Sequence, residues 1–206
     1  MLHYISMGLI YSSKFFELAR ISVVINGVLI LMWATKNQEK WHALFVPTGQ
    51  EEYIKETLEK VLENQLEFMI PKRILKERKA GKWHKVKRNL FPGYILVKGN
   101  ITTETYYKIK NTPVAAKLLK NEEGPQEIEQ SELEVLNILI ENEDGDIGIS
   151  KAYRENEKVI ITSGPLAGLE GNIQSIDKRK GRAKVKIDFL GETRTVQLGI
   201  DFIDKV

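Results

Sequence analysis

The sequence predicts an α+β protein of two modules, a mixed helix and strand layer domain followed by a small closed β-barrel. Three observations carry this prediction. Short apolar strand runs interleave with amphipathic helical stretches across residues 37–140. Short strands of period-two alternation, separated by glycine-containing turns, fill residues 154–206. Between them, residues 141–153 begin with a polar stretch lacking a regular period and read as a flexible linker. A chain of 206 residues, 42% hydrophobic and 29% charged, can bury such cores and is too apolar for a disordered tail.

Residues 1–36 stand apart. From Ile21 to Thr35 there is no charge, yet the run is shorter than the roughly 20 residues that a helix needs to cross a bilayer. Lys14 and Arg20 could serve as the basic region of a signal peptide, but no small-x-small cleavage pattern follows. The expectation is an N-terminal extension upstream of a true start at Met32, which mass spectrometry of the native N-terminus would test.

In the first module, Trp41 to Val46 reads as a strand ended by Pro47-Thr-Gly49. Glu51 to Glu63 reads as a helix with Ile54, Leu58, Val61 and Leu62 inward and Glu and Lys outward. Leu66 to Ile70 and Gly93 to Val97 read as strands, and Thr103 to Lys110 as a short helix. Lys72 to Arg88 holds nine basic residues and the single acid Glu77, a composition that reads more readily as a solvated loop than as a recognition surface for a nearby nucleic acid. Ser131 to Ile140 reads as a helix, with Ser131 as N-cap and Leu133, Leu136 and Ile140 at helical spacing. In the second module, Lys158 to Thr162, Gly171 to Ile176, Ala183 to Phe189 and Thr193 to Leu198 read as strands. The third alternates cleanly, with Val185, Ile187 and Phe189 on one face and Lys184, Lys186 and Asp188 on the other.

The net charge of +3 hides a succession of signs. Residues 37–120 carry 17 basic and 9 acidic side chains, residues 121–150 carry 10 acidic and none basic, and residues 151–206 carry 11 basic and 8 acidic. The most concentrated basic feature is Lys178, Arg179, Lys180, Arg182, Lys184 and Lys186, six cations in nine positions across a turn and the outward face of the next strand. Such a patch repels itself unless an anion meets it. Catalysis has no support. There is no cysteine, the three histidines are scattered, and no phosphate-cradling loop or nucleophile elbow is present. The sequence therefore predicts a non-enzyme without cofactor, catalytic residues or metal site.

Ser163-Gly-Pro-Leu-Ala-Gly-Leu-Glu-Gly171 resembles the KOW motif of small SH3-like barrels. Arg88-Asn-Leu-Phe-Pro-Gly-Tyr-Ile-Leu-Val97 resembles the Phe-Pro-Gly-Tyr block of the NusG N-terminal (NGN) domain, and Trp41 to Glu52 resembles its first strand and helix. The blocks occur in order over about residues 37–206, so the resemblance is to the NusG family: an NGN-type α/β sandwich followed by a KOW barrel. Within the family, Met69 to Trp83, Ile176 to Arg182 and Asp188 to Glu192 look most like the LoaP group of processive antiterminators.

This resemblance implies a cytoplasmic, monomeric transcription elongation factor with no membrane partner. It implies that Phe91, Pro92, Gly93 and Tyr94 help form the depression that grips the clamp helices of the largest RNA polymerase subunit. The residue types alone allow these two rings to fill the domain core equally well. It also implies that Asn111 and Thr112 meet the non-template DNA strand, where the bare alternative is a polar turn before Pro113. The six barrel cations are expected to bind a hairpin in the nascent RNA. Leu166 and Leu169 replace the aromatic residues with which family barrels meet ribosomal protein S10 or Rho, so those partners are doubtful. The alternative is a general NusG-like factor that promotes pausing or couples transcription to the ribosome.

Overall fold

The computed structural model describes residues 20–25, 28–33, 40–122, 124–140, 145–155 and 158–203. The chain divides into two units, Met1–Gln38 and Glu39–Val206. In the first, β1 (Arg20–Ile25) pairs antiparallel with β2 (Val28–Trp33), from Arg20 opposite Trp33 to Ile25 opposite Val28. The expectation of a start at Met32 concerns residues 1–31, of which 1–19, 26 and 27 lie outside the described residues. No described helix is long and apolar enough to cross a membrane.

The second unit begins with β3 (Trp41–Phe45) and α1 (Glu51–Leu62). Ile54, Leu58 and Leu62 are buried at helical spacing, whereas Val61, expected inward, sits at the edge of that stripe and is exposed. Next come β4 (Glu67–Met69), β5 (Lys72–Lys79), β6 (Lys82–Asn89), β7 (Tyr94–Lys98) and α2 (Thr103–Asn111). The Thr102 hydroxyl caps α2 by accepting from Thr105 N at 3.1 Å. The short strands β8 (Lys117–Leu118), β9 (Lys120–Asn121) and β10 (Gly124–Pro125) lead into α3 (Gln130–Leu139). The N-cap of α3 is Glu129, not Ser131, through a reciprocal capping box with Glu132.

Strands β4, β7, β3 and β8 form an antiparallel sheet in that order. The apolar run of β7 is buried on both faces, as alternation along a strand requires. Ile95 and Val97 face the helices with Leu44, Ile54, Leu58 and Ile109, while Leu96 joins Ala43, Leu136 and Leu139 on the other face.

Two expectations are corrected here. The basic run from Lys72 to Arg88 is a hairpin, not a loop: β5 pairs with β6 from Lys72 opposite Asn89 to Lys79 opposite Lys82. Its tight turn rests on Ala80 and Gly81, at φ 49° and 79°, the left-handed pair that suits a two-residue hairpin connection. Of the flexible linker expected over 141–153, residues 146–147 and 149–153 are strand. β11 (Asp146–Ile147) pairs parallel with β5, and β12 (Ile149–Glu155) already belongs to the barrel.

The barrel sheet continues with β13 (Lys158–Ser163), β14 (Ile173–Asp177), β15 (Arg182–Phe189) and β16 (Glu192–Phe202). The strand order is β13-β12-β16-β15-β14, antiparallel except for the β12–β16 pair. β15 alternates as its sequence predicts: Ala183, Val185, Ile187 and Phe189 are buried, and Lys184, Lys186 and Asp188 are exposed. Leu166 and Leu169 are buried in the same core.

Candidate functional site

The Phe91 to Tyr94 block is set by a buried carboxylate. Glu51, at the first position of α1, accepts from Gly49 N at 2.6 Å and from Gly93 N at 2.8 Å. Burial opposes its charge, yet the N–H groups of Gly93, its own backbone and Gly49 hold the carboxyl below the usual glutamate range. Gly93 itself sits at φ 85°, and a Cβ there would lie 3.2 Å from the Val46 carbonyl oxygen. The turn thus needs glycine and hangs from a helix N-terminus 42 residues earlier. A first-turn glutamate reads from sequence as a surface charge, so this positioning role is not visible there.

The turn delivers two rings to one face, and the barrel covers them. Phe91 is 4% exposed and stacks on Phe189 of β15, with centroids 4.0 Å apart and planes 4° from parallel. Tyr94 meets Phe189 edge-on at 5.5 Å, and the Arg194 guanidinium lies 4.8 Å over the Tyr94 ring while donating to its hydroxyl at 3.1 Å. Phe45, edge-on to Tyr94, remains 50% exposed. Phe91 is thus buried against the second module rather than within the first.

Polar contacts surround the stack. Glu132, buried at the start of α3, accepts from Gly191 N at 2.8 Å. Lys76 pairs with Asp201 at 2.6 Å, and Arg73 donates to the Gln197 carbonyl at 3.1 Å. A Cβ on Gly199 of β16 would lie 2.6 Å from the Ile74 carbonyl oxygen, so the barrel backbone touches β5 directly.

The six barrel cations do not form one equivalent set. Lys178, Arg179, Lys180, Lys184 and Lys186 are exposed, with Lys178 over the Phe202 ring at 4.9 Å and Lys180 3.8 Å from Asp177. Arg182 is turned to the β5–β6 hairpin. It donates to Gln197 Oε1 at 2.9 Å and lies 3.8 Å from Glu77. Arg182 and the hairpin's Arg78, Trp83 and Lys76 share a cleft of about 570 Å³ with Arg179 and Lys180.

The Asn111-Thr112 pair splits in the same way. Asn111 is exposed at the end of α2, whereas Thr112 is buried and its hydroxyl donates to the Lys108 carbonyl at 2.6 Å. Among the described residues, no group of three or more His, Cys, Asp and Glu side chains is placed to hold a metal ion.

An α/β layer domain and an SH3-like barrel that meet through an aromatic stack define a two-module factor of the NGN and KOW type. Residues 39–137 match the family described as "Transcription termination factor nusG", and residues 155–188 match the KOW motif. The transcription termination/antitermination protein NusG of Rickettsia felis is 30% identical over 182 residues, covering 85% of this chain and 95% of that relative. Its Bacillus subtilis counterpart is 28% identical over 178 residues, covering 82% and 99%. A solved structure described as "Domain interaction in Thermotoga maritima NusG" superposes with a TM-score of 0.51 at 25% identity, covering 78% of this chain and 93% of that one. The chain belongs to the NusG family and is a NusG-type transcription factor.

Proposed function

We propose that this factor is a processive antiterminator of the LoaP kind. It grips the clamp helices of RNA polymerase through Phe91, Pro92, Gly93 and Tyr94, and it meets a nascent RNA hairpin through Lys178, Arg179, Lys180, Lys184 and Lys186, with Arg182 at their edge. The observation that carries this reading is the stack of Phe91 on Phe189. Two aromatic rings on a small apolar area are what a partner's helices would anchor on, and the surface that covers them belongs to the module bearing the exposed cations. The solved relative described as a domain interaction supports a contact of this sort.

The polymerase then competes with Phe189 for one surface. Its apparent affinity is lowered by the fraction of molecules in which that surface is covered. RNA held by the barrel brings the factor to chosen transcripts and raises its effective concentration at the polymerase. Once bound, the NGN domain favours the closed, elongating clamp only as far as it binds that state better than the open one. Asn111 carries the contact with non-template DNA in this reading, supported by its exposure and by the bond of the Thr112 hydroxyl to the Lys108 carbonyl.

The test combines binding and readthrough. Phe189→Ala uncovers the surface and should tighten binding to core RNA polymerase several-fold, while Tyr94→Asp in a folded protein should abolish it. Readthrough of a terminator should rise with the factor and rise further when a matching leader hairpin is transcribed. Increased termination or pausing would instead establish general NusG behaviour.

A further inference from the structure

The cleft of about 570 Å³ between the β5–β6 hairpin and the barrel turn sets beside the barrel cations a wall that the hairpin-RNA reading does not use, made by Lys76, Arg78 and Trp83. Five of its lining residues are cations: Lys76 and Arg78 from the first module, and Arg179, Lys180 and Arg182 from the second. Its single acid, Glu77, is already held by Arg88, which donates to its two oxygens at 3.2 and 2.9 Å. The carboxyl of Glu77 is kept below the usual glutamate range chiefly by that bond, so it stays an anion shared by Arg88 and, at 3.8 Å, by Arg182. The remaining wall is Trp83, opposite Arg78 in the hairpin register and 51% exposed.

Among the described residues no ring or cation lies over the half-exposed indole, and while Lys76 is paired with Asp201, Lys180 lies 3.8 Å from Asp177 and Arg182 lies near Glu77, Arg78 and Arg179 have no acid beside them. A ligand that satisfies the ring and the cations must be anionic along its length and must offer free flat rings. A duplex offers the charge but keeps its bases stacked on one another, whereas an unpaired strand offers both. We propose that this cleft takes an unpaired segment of RNA, with a base stacked on Trp83 and neighbouring phosphates on Arg78, Arg179 and Lys180. The choice of RNA over DNA rests on the reading of the barrel as an RNA-binding module. The walls come from two modules, so a strand lying across them binds the docked arrangement better than the separated one.

The full chain is titrated against fluorescein-labelled U12, dT12 and a 12-base-pair RNA duplex, read by anisotropy over a salt series. U12 is expected to bind at least as tightly as dT12. Trp83→Ala should weaken U12 by about tenfold or more, the scale of one base stacked on an aromatic ring, and should change duplex binding less than twofold. Trp83→Phe should restore most of the loss. Arg78→Ala should flatten the U12 salt dependence by about 0.7, one phosphate contact on a single strand. Unchanged U12 affinity in Trp83→Ala, an equal loss for the duplex, or tighter binding of dT12 would overturn the proposal. The double variant Lys184→Ala plus Lys186→Ala, outside the cleft, separates the two readings. It should weaken the duplex and spare U12. If it spares the duplex as well while Trp83→Ala still weakens U12, the barrel-face reading fails and the cleft stands.

Discussion

The two faces of the β4-β7-β3-β8 sheet are covered in different ways. On one face, α1 and α2 lay Ile54, Leu58, Leu62 and Ile109 over Leu44, Ile95 and Val97 in an aliphatic core. On the other, the barrel brings an aromatic stack ringed by polar contacts, the anatomy of an interface rather than of a domain interior. The polar accounting differs too. Four buried side-chain nitrogens lack a partner among the described residues, and three of them, Arg73 Nε, Arg182 Nε and Arg194 Nε, belong to arginines at the barrel contact. Burial first, and the charge of Arg182 second, lower the pKa of Arg73, so like charges are crowded where the modules meet. A face that leaves donors unsatisfied and places cations side by side is built to be given up more cheaply than one that does neither.

The comparison breaks or sharpens at single residues. Leu58→Ala opens a cavity on the helix face and should destabilise the fold by roughly 2–5 kcal/mol in urea titrations. If it cost less than Phe189→Ala, the contrast between the faces would be wrong. Glu132→Ala removes the acceptor for Gly191 N and one half of the α3 capping box, a loss of roughly 1–3 kcal/mol. Hydrogen exchange should show it as faster opening at Gly191 and Glu129 with α1 protected as before. Tyr94→Phe deletes only the hydroxyl that Arg194 reaches, roughly 0.5–1.5 kcal/mol. It should raise the affinity for core polymerase slightly, and lowered affinity would mean the hydroxyl serves the partner instead.

The smallest effect is a pH dependence confined to the first module. His42 is buried, with Nδ1 donating to the Gln126 carbonyl at 3.1 Å, and burial pulls its pKa below the usual 6.5. The facing charges, Glu127 and Lys40, act in opposite directions. The unfolded chain therefore takes up a proton that the folded chain refuses. Stability should fall as the pH drops below about 6.5. Replacing the imidazole, as in His42→Gln, should flatten that limb in urea titrations between about pH 7.5 and 5.5.

How much of this was legible in the sequence depended on where each residue's partner lay. β15 was readable because one of its faces is buried and the other wet, so its alternation is written locally. β5 and β6 were not readable, because Leu75 alone among their sixteen residues is fully buried and charge on both sides erases the period. β11 makes two rungs whose partner is 74 residues away, which no local pattern announces. Phe91 was visible as a ring needing cover, yet its cover, Phe189, lies on the other module. Arg182 was visible as a charge but not as a residue facing Glu77.

The short junction between the modules sets a further property. Nine residues separate Leu139 at the end of α3 from Ile149 at the start of β12. Fully extended, at about 3.5 Å per residue, that chain keeps Ile149 within about 35 Å of Leu139. Redocking is therefore intramolecular, governed by a local concentration in the millimolar range for such a short connection. Dilution does not open the molecule and abundance does not close it. Under the proposed competition, the balance between covered and uncovered surface is set within each molecule and responds to what binds it.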